Sequence, residues 1–178
     1  MYATWTESVS KGQIELPIAS RTGYSFLGWA TSSAATSGTT GSYTPTGNVT
    51  LYAVWSANEY AVTYNTNGYG TAPSGQTKTH DKTLVLQPFI ANQELTGYKV
   101  TFNSNGGDTT HGALTSKITK KQTYWNTKAD GSGTNYGSQD NYTANTGATM
   151  YAIWTTIHGN ITLPTPTRKN YTFKGWGT

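Results

Sequence analysis

Four short motifs recur along this chain in a consistent order, and this repetition limits the possible folds more than any other feature. Residues 50–55 (TLYAVW) return as residues 149–154 (TMYAIW), and residues 1–5 carry a shortened version of the same motif. Residues 21–29 match residues 168–176. Such internal similarity is the sequence signature of repeat architectures. The chain is therefore predicted to be a tandem array of small units.

The other two motifs and the residue types predict β-structure. Residues 62–68 and 100–106 both end in Asn-Gly, the strongest short hairpin signal, because both turn positions tolerate positive φ. Residues 42–47 and 141–147 pair a tyrosine with a following turn. Apolar residues alternate with period two in the repeated strand motif, which indicates strands covered on one face. We expect a mainly β fold, with little or no helix.

One glycine in the second motif has a specific predicted role. Tyr24 and Phe26 share a face of the expected strand, whereas Leu27 corresponds to Lys174 and is expected to face solvent. Gly28 would then host a β-bulge that returns Trp29 to the aromatic face.

Composition excludes several classes of protein. Only 11% of the 178 residues are charged and 13% are aromatic, the opposite of a disordered chain. There is no cysteine, so no disulfide framework or thiolate metal site is available. The net charge of +4 is weak, and no stripe of basic residues accompanies the aromatics. No run of 18 apolar residues occurs. We therefore expect no nucleic-acid binding and no membrane insertion by this segment.

The pattern Gly-Tyr-x-Phe-x-Gly-Trp, then a Gly/Ser/Thr loop, then Tyr-Thr-x and Thr-Leu-Tyr-Ala-Val-Trp, resembles the Listeria–Bacteroides repeat family. That family includes the B repeat of internalin-type surface proteins. The resemblance implies tandem small β-grasp-like modules along large extracellular bacterial proteins, where they serve as stalks, spacers or host-contact elements. It also implies an extracellular or cell-surface location.

The resemblance and the motif positions together predict where the repeats begin and end. The long unit departs from the family pattern through an extra hairpin near residues 99–124. The short unit departs from it by lacking the opening Val-Thr-Tyr-Asn motif. The predicted segments are the end of a preceding repeat at 1–6, a short unit at 7–56, a long unit at 57–155 and half a repeat at 156–178.

Catalytic and metal chemistry find little support in the sequence. The eight acidic residues are scattered, and none recurs at matched positions in two units. His80 and Asp81 are adjacent, but neighbours in a strand point to opposite faces, so shared catalysis is not expected and the pair is interpreted as turn or surface residues. The three histidines show no metal-ligand spacing. We predict no enzymatic activity, no metal and no cofactor.

Recurrence separates two groups of aromatic residues. Those that return at matched positions are assigned to the repeat core: Tyr24, Phe26, Trp29, Trp55, Trp154, Tyr171, Phe173 and Trp176. Aromatic side chains without a counterpart are candidates for ligand contact, since their large rigid surfaces anchor interfaces and stack on sugars. These candidates are Tyr69, Phe89, Tyr124 and Tyr136.

The predicted function is a structural or adhesive repeat segment of a bacterial cell-surface or secreted protein. Its expected partners are neighbouring repeats, copies of itself, host or cell-wall glycans, or surface proteins. A carbohydrate-binding module that uses exposed Tyr and Trp is the alternative. Half-units at both ends suggest head-to-tail assembly by strand addition, with Tyr2, Trp5, Tyr171 and Trp176 as candidates. An arbitrary cut through a longer array explains the half-units equally well.

Overall fold

The computed structural model describes residues 12–108 and 111–177. These residues form twelve β-strands and no helix. The prediction of a mainly β fold is confirmed, whereas its β-grasp-like detail is not confirmed.

The chain divides into two compact units. The described part of the first unit comprises residues 12–61, 77–84 and 143–147. The described part of the second unit comprises residues 62–76, 85–108, 111–142 and 148–177. The repeat limits expected from sequence stay a prediction.

The first unit holds two antiparallel strand pairs. Its strands are β1 (Ile14–Glu15), β2 (Tyr24–Ala30), β3 (Ser42–Tyr43) and β4 (Tyr52–Ala57). β1 pairs with β3, and the longer β2 pairs with β4. Along β2 the half-buried Tyr24 and Phe26 alternate with the exposed Ser25 and Leu27, which suits a sheet covered on one face.

A bulge interrupts the pairing of β2 and β4 where the sequence predicts it. The register shifts between Phe26 and Gly28, and Gly28 has a φ of 123°. A Cβ at this position would lie 2.6 Å from the carbonyl carbon of Gly38. Only glycine meets both demands, because L-residues rarely adopt this φ and no side chain fits. Leu27 is 40% exposed, as expected.

The remaining strands follow in chain order, and β5, β6 and β7 lie where the chain passes between the units. They are β5 (Glu59–Asn65), β6 (Gln76–Thr79), β7 (Leu84–Val85), β8 (Gln93–Val100), β9 (Leu114–Asn126), β10 (Asn135–Tyr136), β11 (Asn141–Tyr142) and β12 (Ala148–His158). The main sheet has the order β10-β9-β12-β5-β6, and β8 also pairs with β9.

Strand β12 lies at the centre of the second unit. Its first residues pair in parallel with β5, and its later residues pair antiparallel with β9. β8 and β10 pair with different parts of β9, along the edge that β12 leaves open. Each part of β12 thus has a hydrogen-bonded neighbour, β5 for its first residues and β9 from Tyr151 onward.

The core of the second unit is built around one tryptophan. Trp125 is 0% exposed, and its ring meets that of Tyr64 edge-on with centroids 4.9 Å apart. Its indole N–H donates to the backbone carbonyl of Gln87 at 3.0 Å, so burial leaves no polar atom unpaired. The other buried hydrophobic residues of this unit are Val62, Leu86, Tyr142, Met150 and Ala152.

Replacing Trp125 with alanine is expected to lower the free energy of unfolding of the second unit by about 3–5 kcal/mol, because the cavity cannot be filled by its neighbours. The measurement is amide hydrogen exchange in β9 and β12. The matched control is Tyr98→Ala, since Tyr98 is 73% exposed in the same unit; we expect a change within about 0.5 kcal/mol. An equal loss of unfolding free energy in Trp125→Ala and Tyr98→Ala would contradict the central role of Trp125.

Candidate functional site

Three tryptophans make the same hydrogen bond at matched places in the repeats. Each indole N–H donates to the backbone carbonyl of the residue that follows a leucine. We call this interaction the indole latch. The three pairs are Trp29 with Pro17 at 2.6 Å, Trp125 with Gln87 at 3.0 Å and Trp176 with Pro164 at 2.8 Å.

The six residues that end at each of these tryptophans form what we call the arm. The first arm is residues 24–29, the second is 120–125 and the third is 171–176. In the first and third arms an arginine guanidinium lies over the leading tyrosine, at 3.7 Å and 4.1 Å from the ring centroid. The phenylalanine and tryptophan of these two arms also meet edge-on, at 5.6 Å and 5.5 Å between centroids. The repeated sequence therefore builds a repeated local structure.

Two arms are each covered by a closing segment, residues 50–55 and 149–154. In both cases the alanine of the closing segment lies opposite the tryptophan of the arm: Ala53 opposite Trp29, and Ala152 opposite Trp125. In both pairs the register then shifts between the last two residues of the closing segment, Val54 and Trp55 in one and Ile153 and Trp154 in the other. The tryptophan that ends the closing segment then lies opposite the third residue of the arm.

The repeated Val-Thr-aromatic-Asn motif forms an opening segment, residues 62–68 and 100–106. The backbone N–H of Asn67 donates to the side chain of Asn65 at 2.8 Å, and Asn105 donates to Asn103 at 2.9 Å. Asn67 and Asn105 have φ values of 53° and 47°. The two turns thus share one geometry, in which asparagine tolerates the left-handed region.

Each opening segment serves a different arm. Tyr64 of the first packs against Trp125, with ring centroids 4.9 Å apart. Phe102 of the second packs against Trp176, with centroids 5.0 Å apart. The second opening segment is therefore inserted between the two halves of one repeat and belongs structurally to the arm that follows.

An open cleft of about 470 Å³ lies between the second opening segment and the third arm. Residues 103–105, 107, 166–168 and 171–177 line it. The backbone N–H of Lys169 donates to the Asp108 carboxylate at 2.8 Å, and the N–H of Asp108 donates to the carbonyl of Thr167 at 2.7 Å. These two bonds tie the walls together at one end.

The first unit carries a polar cluster around Asp81. The carboxylate accepts hydrogen bonds from Asn145 Nδ2 at 2.9 Å and from the Tyr24 hydroxyl at 3.3 Å. His80 Nε2 lies 3.5 Å from it. Lys78 is fully buried, and its ammonium donates to Asn145 Oδ1 at 3.0 Å. The cluster joins three stretches of the chain that are far apart in sequence.

The expectation that His80 and Asp81 point to opposite faces is wrong. Asp81 lies in a turn with a φ of 57°, so strand alternation does not apply to it. The hydrogen bond from Asn145 is the main cause that lowers the pKa of Asp81, and the neighbouring His80 adds to the effect. The cluster therefore stabilises the charged form of the carboxylate and makes it a weaker base.

The four predicted ligand-contact residues are all half-buried, and they have different surroundings. Tyr69 packs edge-on against Trp154 and lies under the ammonium of Lys120. Tyr136 packs edge-on against Tyr142. The Phe89 backbone donates to Ser138, and the Tyr124 carbonyl accepts from Gln122. Their role in ligand contact stays a prediction.

The residues assigned to the repeat core differ in burial. Tyr24, Phe26, Trp29, Trp55, Trp154 and Trp176 are half-buried, whereas Tyr171 and Phe173 are 66% and 37% exposed. Of the four assembly candidates, Tyr2 and Trp5 lie outside the described residues. Tyr171 and Trp176 both line the cleft.

Sequence reasoning missed two residues that build the second unit. Trp125 has no adjacent Gly-Tyr-x-Phe pattern, so it was left out of the aromatic residues assigned to the repeat core. Leu86, which precedes the Gln87 acceptor, corresponds to Leu16 and Leu163 and would have revealed it. Asn126 is also fully buried, and its side chain accepts the N–H groups of the turn that follows.

Neither a metal centre nor a spanning helix emerges from the described ranges. Across residues 12–108 and 111–177, no three His, Cys, Asp or Glu side chains gather as a metal ion would require. Within the same residues, no helix has the length and apolar character needed to cross a membrane.

The Asp81 cluster predicts an acid-sensitive first unit. Because the pKa of Asp81 is lowered on folding, its contribution is complete above the ordinary carboxyl value of about 3.9 and is lost as the pH falls through the folded value. Asp81→Asn is expected to be less stable than the parent chain at pH 7. Its free energy of unfolding should also fall less than that of the parent chain when the pH is lowered to 3. Resolved β2 amide signals in urea, followed by NMR, measure both quantities.

Glu59→Gln is the control for the loss of one carboxylate from the same unit, since Glu59 is exposed at the start of β5. The prediction is contradicted if the free energy of unfolding changes by the same amount between pH 7 and pH 3 in the parent chain and in Asp81→Asn.

Comparison with known proteins places the chain in a family. Residues 4–54 and 155–178 match the model of the Listeria-Bacteroides repeat domain. A protein of Evansella cellulosilytica named "Putative Gly-rich membrane protein" is 32% identical over 144 residues. That match covers 76% of this chain but only 14% of the relative's length. No solved structure matches the chain. Through these two segments, the chain belongs to the Listeria-Bacteroides repeat family, whose members are typical of bacterial surface proteins.

Proposed function

We propose that this chain is a structural repeat segment of a bacterial surface protein, which acts outside the cell as a spacer and contact element. The observation that carries the proposal is the indole latch, which occurs three times at matched positions. The residues that recur are those that build the repeats, not residues that perform chemistry. Repetition of a scaffold is what a spacer needs, because its length grows with the number of units.

The strand arrangement also supports a role under tension. In the second unit, β12 is hydrogen-bonded to β5 on one side and β9 on the other. Pulling β12 along its own direction has to break these bonds together rather than one after another. The fully buried Trp125 then adds its latch between β9 and the segment before β8.

Adhesion is the second part of the proposal. Neighbouring repeats, copies of the chain, and host or cell-wall glycans or surface proteins are the proposed partners. Exposed aromatic side chains such as Tyr98 and Tyr171 provide contact area with a polar tip. We propose no catalytic activity, because no carboxylate recurs at matched positions of the repeats. A carbohydrate-binding module remains the alternative prediction.

Single-molecule force spectroscopy of the full chain tests the spacer role. We expect discrete unfolding events when the chain is pulled from its ends. Trp125→Ala should lower the force of one event and leave the others unchanged, because it removes one of the three latches and leaves those of Trp29 and Trp176 in place. Tyr98→Ala is the control, since its ring is largely exposed. Smooth extension at low force, without discrete events, would contradict a spacer that withstands tension.

A further inference from the structure

We propose that Lys78 and Asn145 become joined by an isopeptide bond, which the chain forms by itself with release of ammonia. The new bond links the Nζ of Lys78 to the side-chain carbonyl carbon of Asn145. This inference goes beyond the spacer role, because it assigns a covalent modification to the polar cluster around Asp81. All three residues belong to the first unit. The bond is made once in each chain, so it is a self-modification and not a turnover activity.

Lys78 is a nucleophile that is held beside an amide group. Its side chain is fully buried on β6. Its Nζ lies 3.0 Å from the Oδ1 of Asn145 and 2.8 Å from the carbonyl oxygen of Thr79. Both acceptors are neutral, and burying an ammonium group among neutral atoms is costly. Bonding this nitrogen into an amide removes the charge and keeps the side chain packed.

Asn145 is positioned as the electrophile by a second donor to the same oxygen. The backbone N–H of Asp81 donates to Asn145 Oδ1 at 2.9 Å. This donor draws electrons from the carbonyl carbon and stays in place when the oxygen becomes negative after attack, as an oxyanion site does. Asp81 adopts a left-handed φ of 57° to reach it. Such backbone strain in a residue other than glycine is characteristic of functional sites.

The carboxylate of Asp81 lies at the nitrogen that has to leave. Asn145 Nδ2 donates to Asp81 Oδ1 at 2.9 Å. A carboxylate within hydrogen-bond reach of a leaving group can carry a proton to it. Because Asp81 is a weak base in this cluster, it is suited to pass a proton on rather than to keep it. One residue thus supplies both the oxyanion donor and the proton relay.

The reaction balances without an oxidant or a cofactor. Lys78 loses one proton to solvent and attacks the amide carbon as a neutral amine, and the electrons of the C=O double bond move to Oδ1. The attacking nitrogen then gives up a second proton, which Asp81 passes to Nδ2 of Asn145. The C=O bond re-forms as the bond between the carbon and Nδ2 breaks, and ammonia leaves. An amine and a primary amide have become a secondary amide and ammonia.

The bond would change how the chain extends under load. Lys78 and Asn145 are 67 positions apart, and the bond closes this stretch into a covalent ring. Tension along the chain then passes from one residue to the other through their side chains. The fully extended parent chain should therefore be shorter than Lys78→Met by roughly 220 Å, at about 3.3 Å per residue. Single-molecule extension measures this difference.

Peptide mapping of the full chain after incubation at neutral pH tests for the bond itself. Trypsin does not cleave after a lysine whose Nζ is acylated. We therefore expect one product in which residues 22–82 are linked to residues 129–168. Tandem mass spectrometry should place the link between Lys78 and Asn145. The intact chain should be lighter than its sequence requires by one molecule of ammonia.

Substitutions in the cluster show which groups form the bond. Lys78→Met and Asn145→Ala should each abolish the link and restore the full mass. Lys82→Met and Asn48→Ala are the matched controls, because both residues are exposed in the first unit, and they should keep the link. Asp81→Asn retains the nucleophile and the electrophile. The linked fraction, followed over time after cell-free synthesis, should rise at least about a hundredfold more slowly in this variant.

Complete tryptic cleavage after Lys78 in the parent chain would overturn the proposal. So would a loss of ammonia that persists in Lys78→Met, because an asparagine can also lose ammonia by cyclising onto its own backbone. The peptide map of the parent chain needs no substitution, so it decides the question even if a variant does not fold. Failure here is distinguishable from failure of the spacer role, since discrete unfolding under force does not require a covalent link.

Discussion

The hydrogen bond from a tryptophan indole to a backbone carbonyl is the interaction on which each repeat depends. The indole is the one polar group on a large hydrophobic side chain, so packing it inward is favourable only if its N–H finds an acceptor. In all three repeats the acceptor follows a leucine at the end of a short extended segment. The bond thereby fixes the arm against that segment, and the arm in turn determines where a closing segment can pair.

This latch also explains how the second unit tolerates a long insertion. Donor and acceptor are 12 residues apart for Trp29 and for Trp176, but 38 residues apart for Trp125. The inserted residues form β8 and the first part of β9, which pair along an edge of the sheet and leave the latch intact. The entropy cost of closing a longer loop grows only slowly with its length. Because the insertion carries its own opening segment, successive repeats interleave instead of following one another end to end.

Local chemistry decided which features the sequence could predict. The positive φ of Asn67 and Asn105 and the bulge at Gly28 follow from residue types that tolerate those conformations, and all were readable in the motifs. Trp125 was hidden because the insertion separates it from its acceptor and its arm lacks the Gly-Tyr-x-Phe pattern. The Asp81–Asn145 bonds join residues 64 positions apart, and nothing local in either stretch indicates the other. The burial of Lys78 depends on that same long-range contact.

Each arm is positioned by a segment that precedes it in the chain, because its tryptophan donates to a carbonyl of that segment. An arm whose tryptophan is hydrogen-bonded to the segment before it, as in residues 24–29, is held in one place against that segment when its closing segment pairs with it. The strand that then binds gains main-chain hydrogen bonds and aromatic contacts against a surface that is already organised, so little further ordering opposes it. In the described residues, segments 50–55 and 149–154 each close an arm in this way, so an arm and its closing segment together make one paired element of the repeat.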